Sequence, residues 1–166
     1  MEPVTDWKSR RSARLPEFNY INVGMYFATI CASERRCIFG RVHANNMVLT
    51  PLGEIIKSCW IEIPQHFPRV KIESYVVMPN HVHGILTVRL KLQNANRSGR
   101  TMETTESFGK PTAGSLPKII RSFKAPASER ARESGLVSGR PIWQKGYYEH
   151  VIRSTKEYVE ITNYIL

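Results

Sequence analysis

Two histidines one residue apart, His81 and His83, have the residue types and spacing to do metal chemistry. They follow Met78-Pro79-Asn80, with Val70-Lys71-Ile72-Glu73-Ser74-Tyr75-Val76-Val77 upstream and Ile85-Leu86-Thr87-Val88-Arg89-Leu90 downstream. Both flanks read as strands, and Pro79-Asn80 reads as the two-residue turn between them, because proline pre-sets φ and asparagine tolerates turn conformations. Side chains alternate along a strand, so His81 and His83 share one face, about 7 Å apart, while Val82 takes the other. Two parallel imidazoles are half of a divalent-metal site. The same spacing also fits two histidines on a solvated sheet face. A second reactive group stands near the C-terminus. Tyr158, Ile161 and Ile165 form an apolar helical stripe, and Tyr164 lies about 100° from Ile165, at the stripe's edge, where a phenol meets solvent or substrate.

The elements that must position these groups follow from periodicity. Gly24 to Ala32 is β-branched and aromatic, apolar on both faces, as in a central strand. Ser33 to Arg36 is a charged turn that places Arg35 and Arg36 to meet phosphate. Thr50-Pro51 opens a helix as cap and first residue, with Leu52, Ile55, Ile56, Cys59, Trp60 and Ile63 facing the core and Pro64 and Pro68 bracketing its end. After the histidine hairpin, residues 91–114 turn polar, and a stretch of that length is expected to be a mobile insertion. Ser115 is the expected cap of a helix with Leu116, Ile119, Ile120 and Phe123 inside and Lys118, Arg121 and Lys124 outside; Arg130 and Arg132 follow Pro126. Residues 141–153 read as a turn and a last strand. Ser154-Thr155-Lys156-Glu157 has the capping-box pattern and starts the tyrosine helix. The order β-α-β-β-α-β is the split βαβ, ferredoxin-like plan: an α+β fold with an antiparallel sheet and two helices on one face. The terminal helix is then free to cross the open face, where His81 and His83 project.

The 166 residues suit one domain, 20–166, behind a basic and aperiodic N-terminal arm, 1–19, in which Arg10, Arg11 and Arg14 are expected to neutralise phosphates. A net charge of +10 favours a polyanionic partner, most often nucleic acid. No apolar run approaches a membrane span or a signal peptide, and a cytoplasmic protein is expected. Cys31, Cys37 and Cys59 lack metal-type spacing, and Cys31 and Cys59 read as reduced core thiols.

Taken together, Arg11-Ser12-Ala13-Arg14-Leu15, Tyr26-Phe27-Ala28-Thr29-Ile30-Cys31, Val77-Met78-Pro79-Asn80-His81-Val82-His83, Ile119-Ile120-Arg121-Ser122-Phe123-Lys124, Trp143 through Arg153 and Asn163-Tyr164-Ile165 resemble the single-tyrosine HUH transposases, specifically the REP-associated tyrosine transposases. The resemblance implies DNA strand cleavage and rejoining on single-stranded hairpins, with Mg²⁺ or Mn²⁺ held by His81 and His83 and Tyr164 attacking phosphorus to leave a 5′-phosphotyrosyl enzyme. It leaves a homodimer open. It also implies an Asn one turn past the tyrosine as a third ligand, whereas this chain ends at Leu166. His150 or Glu149 is the expected substitute, a structural role for His150 being the alternative, and a truncated or decayed hairpin-binding protein is the alternative function. A His-x-His hydrolase finds no further ligand motif, and an RNA-binding domain of this fold lacks the aromatic strand signature.

Overall fold

A computed structural model describes residues 23–89 and 114–165. The N-terminal arm, with Arg10, Arg11 and Arg14, and all of the insertion but Gly114 lie outside the described residues. Among the described residues, six strands and four α-helices follow in order: β1 Gly24–Cys31, β2 Gly40–His43, β3 Asn46–Leu49, α1 Pro51–Ile61, α2 Ile63–His66, β4 Val70–Met78, β5 His81–Val88, α3 Leu116–Glu133, β6 Tyr148–Ile152 and α4 Thr155–Ile165. The main sheet has the order β4-β5-β1-β6, with each neighbouring pair antiparallel. Leaving aside the β2–β3 hairpin, this is the split βαβ topology expected from the sequence. Among the described residues no helix is long and apolar enough to cross a membrane.

Period-two alternation divides the sheet into two cores. Tyr26, Ala28 and Ile30 of β1 and Val82, Leu86 and Val88 of β5 face α1 and α3, where Ile56, Trp60, Ile119, Ile120 and Phe123 complete a fully buried layer. The intervening residues Phe27 and Ile85, with Ile152 of β6, face α4 and meet Ile165, with Tyr158 and Ile161 partly buried beside them. The terminal helix therefore lies on the open face, on the stripe the sequence predicts. Gly84 occurs where the first layer is tightest. A Cβ there would stand 2.1 Å from Cζ2 of Trp60, so the residue between His83 and Ile85 must be glycine for the indole to lie on the strand.

The helix starts are chemically explicit in two cases. Thr50 Oγ1 accepts from Gly53 N at 3.1 Å, with Pro51 in the first turn. Ser154 Oγ accepts from Glu157 N at 3.2 Å at the start of α4, while Glu157 Oε2 accepts from the N–H of Arg153, the residue before the cap, at 2.8 Å. The third expected cap is not made: Ser115 is fully buried and caps only through its carbonyl, which accepts from Ile119 N.

Two elements go beyond what the sequence pattern announces. The β2–β3 hairpin turns on Ala44 and Asn45, both with positive φ (46° and 61°), and the sequence carries no glycine there to announce it. α3, whose end the sequence pattern does not mark, runs through Pro126 to Glu133. Proline removes one helical hydrogen bond, and tertiary contacts offset that loss: Ala127 and Ala131 are fully buried, and Arg130 forks onto Glu62 at 2.8 and 2.7 Å.

Candidate catalytic site on the open sheet face

His81 opens β5 and His83 lies two residues on, facing α4 as the alternation requires. Their Nε2 atoms are 2.9 Å apart. The outer nitrogens identify what those inner atoms carry. Asn80 Nδ2 donates to the carbonyl of Arg35 at 3.2 Å, which turns its Oδ1 toward His81. His81 Nδ1 must then be the donor in the 2.6 Å bond to Asn80 Oδ1, leaving Nε2 as the acceptor that faces His83 Nε2. His83 Nδ1 meets Thr29 Oγ1 at 2.9 Å, and a hydroxyl can donate to it or accept from it.

This geometry fits a divalent ion. Two nitrogens bound at about 2.1 Å and at right angles would be about 3 Å apart, which matches the observed separation. The protonation state fits as well. His83 is 8% exposed; burial first, and its neighbour His81 second, push its pKa down to about 4. Burial and then the charge of Arg35 hold His81 below the usual imidazole range. Both rings are thus neutral near pH 7, the form that binds metal. Among the described residues no third His, Cys, Asp or Glu joins them.

Tyr164, one residue from the end of α4, is 71% exposed and sets its ring edge-on to His83, with centroids 5.4 Å apart. The phenol and the imidazole pair therefore occupy one face, which no linear motif could establish. Phe27 forms the floor, stacked on His83 at 5.2 Å. α4 is moored beside this floor, because Glu157 of its first turn also bonds His150 Nε2 on β6. The backbone N–H of Arg153 first, and His150 second, lower the pKa of Glu157.

The remaining candidates divide. His150 spends its Nε2 on Glu157 and pairs across the sheet with Phe27, so it acts as a strut, the structural role left open above. Glu149 cannot replace the third ligand: its neighbour in alternation, Val151, packs in the α1–α3 core, so the carboxylate faces away from His81 and His83. Arg35 stays exposed beside His81, on a turn where it and Glu34 both have positive φ (52° and 56°). Arg36 is used internally, donating to Pro141 O at 2.9 Å and Ser33 O at 3.2 Å. Lys118 and Arg121 are exposed on α3, across the sheet from Tyr164. Lys124 is not on a solvated face: it donates to the carbonyls of Gln144 and Gly146, and burial pushes its pKa down to about 8. Of the thiols, only Cys59 is buried; Cys31 is intermediate and Cys37 exposed. Sequence reasoning missed Thr29 and the bridging role of Asn80. Asn80 was visible in the turn, but Thr29 meets His83 only through the β1–β5 register.

The chain is similar to known proteins in sequence and in fold. The chain is 38% identical over 156 residues to an uncharacterised protein of Haemophilus influenzae, covering 94% of this chain and 86% of that one. It is 26% identical over 146 residues to the REP-associated tyrosine transposase of Escherichia coli, covering 88% of this chain and 66% of the relative. Among solved structures, a REP-associated tyrosine transposase bound to a REP hairpin aligns with a TM-score of 0.57 at 23% identity, over 90% of this chain and 68% of that chain. No protein-family model matches. The chain spans about two thirds of the length of these named relatives. Sequence relatives, fold and motifs agree in one direction: the chain is similar to the REP-associated tyrosine transposases.

Proposed function

We propose that the protein binds single-stranded DNA hairpins and cleaves and rejoins strands, with Tyr164 as nucleophile and His81 and His83 as ligands for Mg²⁺ or Mn²⁺. The observation that carries this reading is the meeting of two facing Nε2 atoms, 2.9 Å apart, with an exposed tyrosine ring 5.4 Å from His83. The REP hairpin held by the structural neighbour and the +10 charge of this chain support a DNA hairpin as partner.

In the proposed step the Tyr164 oxygen attacks phosphorus as its proton passes to water. The phosphorus–O3′ bond breaks, the O3′ takes up a proton, and the 5′ side remains as a phosphotyrosine. A divalent ion at the histidines would supply positive charge to the non-bridging phosphate oxygens. Thr29 and Asn80 hold the two imidazoles in orientation, and Arg35 adds a further positive charge beside the site. The phosphotyrosyl bond retains the energy of the phosphodiester, so a new 3′-hydroxyl can reverse the step.

Incubation with a labelled single-stranded hairpin and Mn²⁺ should yield an SDS-resistant protein–DNA adduct that disappears with Tyr164→Phe. An adduct that survives this substitution would remove Tyr164 from the mechanism. A second reading, hairpin binding without cleavage, is favoured by the lack of a third side-chain ligand among the described residues. Hairpin retention with no adduct at any Mn²⁺ concentration would select it.

A further inference from the structure

The first residue of β6 presents a large aromatic ring that the reaction above does not use. Tyr148 is 53% exposed. It pairs with Thr29, which pairs in turn with His83, so it lies in the same cross-strand row as the histidine, about 10 Å away across two strand spacings. Its ring meets the edge of Phe27, with centroids 6.4 Å apart, and Phe27 stacks on His83, whose ring contacts Tyr164. Four rings thus cross the open face in unbroken contact. Phe27 in the middle is 9% exposed and fixed, whereas the two outer members, Tyr148 and Tyr164, are open to solvent. The apolar contacts of α4 fall on Phe27, Ile85 and Ile152 and leave Tyr148 uncovered.

We propose that Tyr148 is a stacking platform for an unpaired nucleobase of the DNA strand whose phosphate lies at Tyr164, an inference that rests on the strand-cleavage reading above. A flat π-surface held by a rigid strand suits a nucleobase, and stacking of this kind tolerates any base. A base within a duplex already has both faces covered, so the platform selects single-stranded DNA. Charge favours the same occupant: exposed Lys145 and Arg153 stand three residues before and just after the strand, where they can meet phosphates on either side of the stacked base. Tyr148 is a positioning residue here, since it takes no part in the bond changes.

The test compares two probes of equal length: fluorescein-labelled oligothymidylate, and a strand with the same phosphates but abasic throughout. Wild-type protein should bind the first more tightly than the second. Tyr148→Leu should weaken oligothymidylate binding roughly 5- to 100-fold while leaving the abasic strand unchanged, and Tyr148→Phe should restore the preference. Equal binding of both probes by the wild type would overturn the proposal, as would a Tyr148→Leu variant that loses the same factor on both. Adduct formation by Tyr148→Leu on the hairpin, measured in parallel, separates the two ideas. No adduct from the wild type refutes strand cleavage, whereas an intact wild-type adduct with no base-dependent effect of Tyr148→Leu refutes only the platform.

Discussion

Thr29→Val removes one hydroxyl and keeps a β-branched side chain of the same shape on β1, so its effect isolates the bond between Oγ1 and His83 Nδ1 at 2.9 Å. Two consequences follow from the geometry. Nδ1 belongs to a ring that is only 8% exposed, and leaving it without a partner costs about 1–3 kcal/mol. For a domain of this size that corresponds to a melting temperature lower by roughly 3–10 °C. Without the hydroxyl, Nδ1 loses the partner that fixes the imidazole, and Nε2 is no longer held facing His81 Nε2 in a fixed direction. Loss of such a supporting partner lowers metal affinity by about 10- to 100-fold. Calorimetric titration with Mn²⁺, and adduct yield as a function of Mn²⁺ concentration, should both shift by that factor, with the yield recovering at saturating metal. Thr29→Ser keeps the hydroxyl and should behave as wild type in the Mn²⁺ titration. A Thr29→Val protein that is folded and shows an unaltered Mn²⁺ midpoint would refute the assignment of His83 as an oriented ligand.

Two further outcomes test the frame around the site. Gly84→Ala places a methyl 2.1 Å from an indole that is itself buried edge-on against Phe123 at 5.0 Å, so overpacking should cost about 1–3 kcal/mol or more and lower the melting temperature by roughly 3–10 °C. Gly24→Ala, whose nearest neighbour would be at 3.4 Å, is the control, and equal melting temperatures for the two variants would contradict the packing described. Stability should also depend on pH through His83. Its folded pKa of about 4 lies below the ordinary 6.5, so the unfolded chain binds more protons between these values. Its contribution is complete above pH 6.5 and is lost as the pH falls toward 4, by about 2–3 kcal/mol. Urea unfolding at several pH values should show this slope in the wild type and a flatter one in His83→Asn; identical slopes would place His83 in a more solvated setting.

The legible part of the fold was the part whose signal is local. The stripe of α1, the cap at Ser154 and Glu157, and the alternation of β5 each depend on residues within a turn or a few strand positions, and each appears where its pattern puts it. Where tertiary contacts outweigh propensity, the pattern misleads. Proline disfavours a helix interior, yet the Arg130–Glu62 fork and the buried Ala127 and Ala131 carry α3 through Pro126. Ala44-Asn45 forms a hairpin turn without glycine because the β2–β3 pairing imposes positive φ on both.

The candidate site divides along the same line. Sequence alone determined that His81 and His83 share a face and that Tyr164 borders the stripe of a terminal helix, because the periods of strand and helix settle which residues point together. Only the tertiary structure decided the rest. It turned the two Nε2 atoms to 2.9 Å of one another through Asn80 and Thr29, engaged His150 with Glu157, sent Glu149 to the opposite core and brought Tyr164 against His83. These are pairings between residues as far as 81 positions apart in the chain. They are set by strand register and by the seating of α4 on Phe27, Ile85 and Ile152, and no spacing within a motif encodes them.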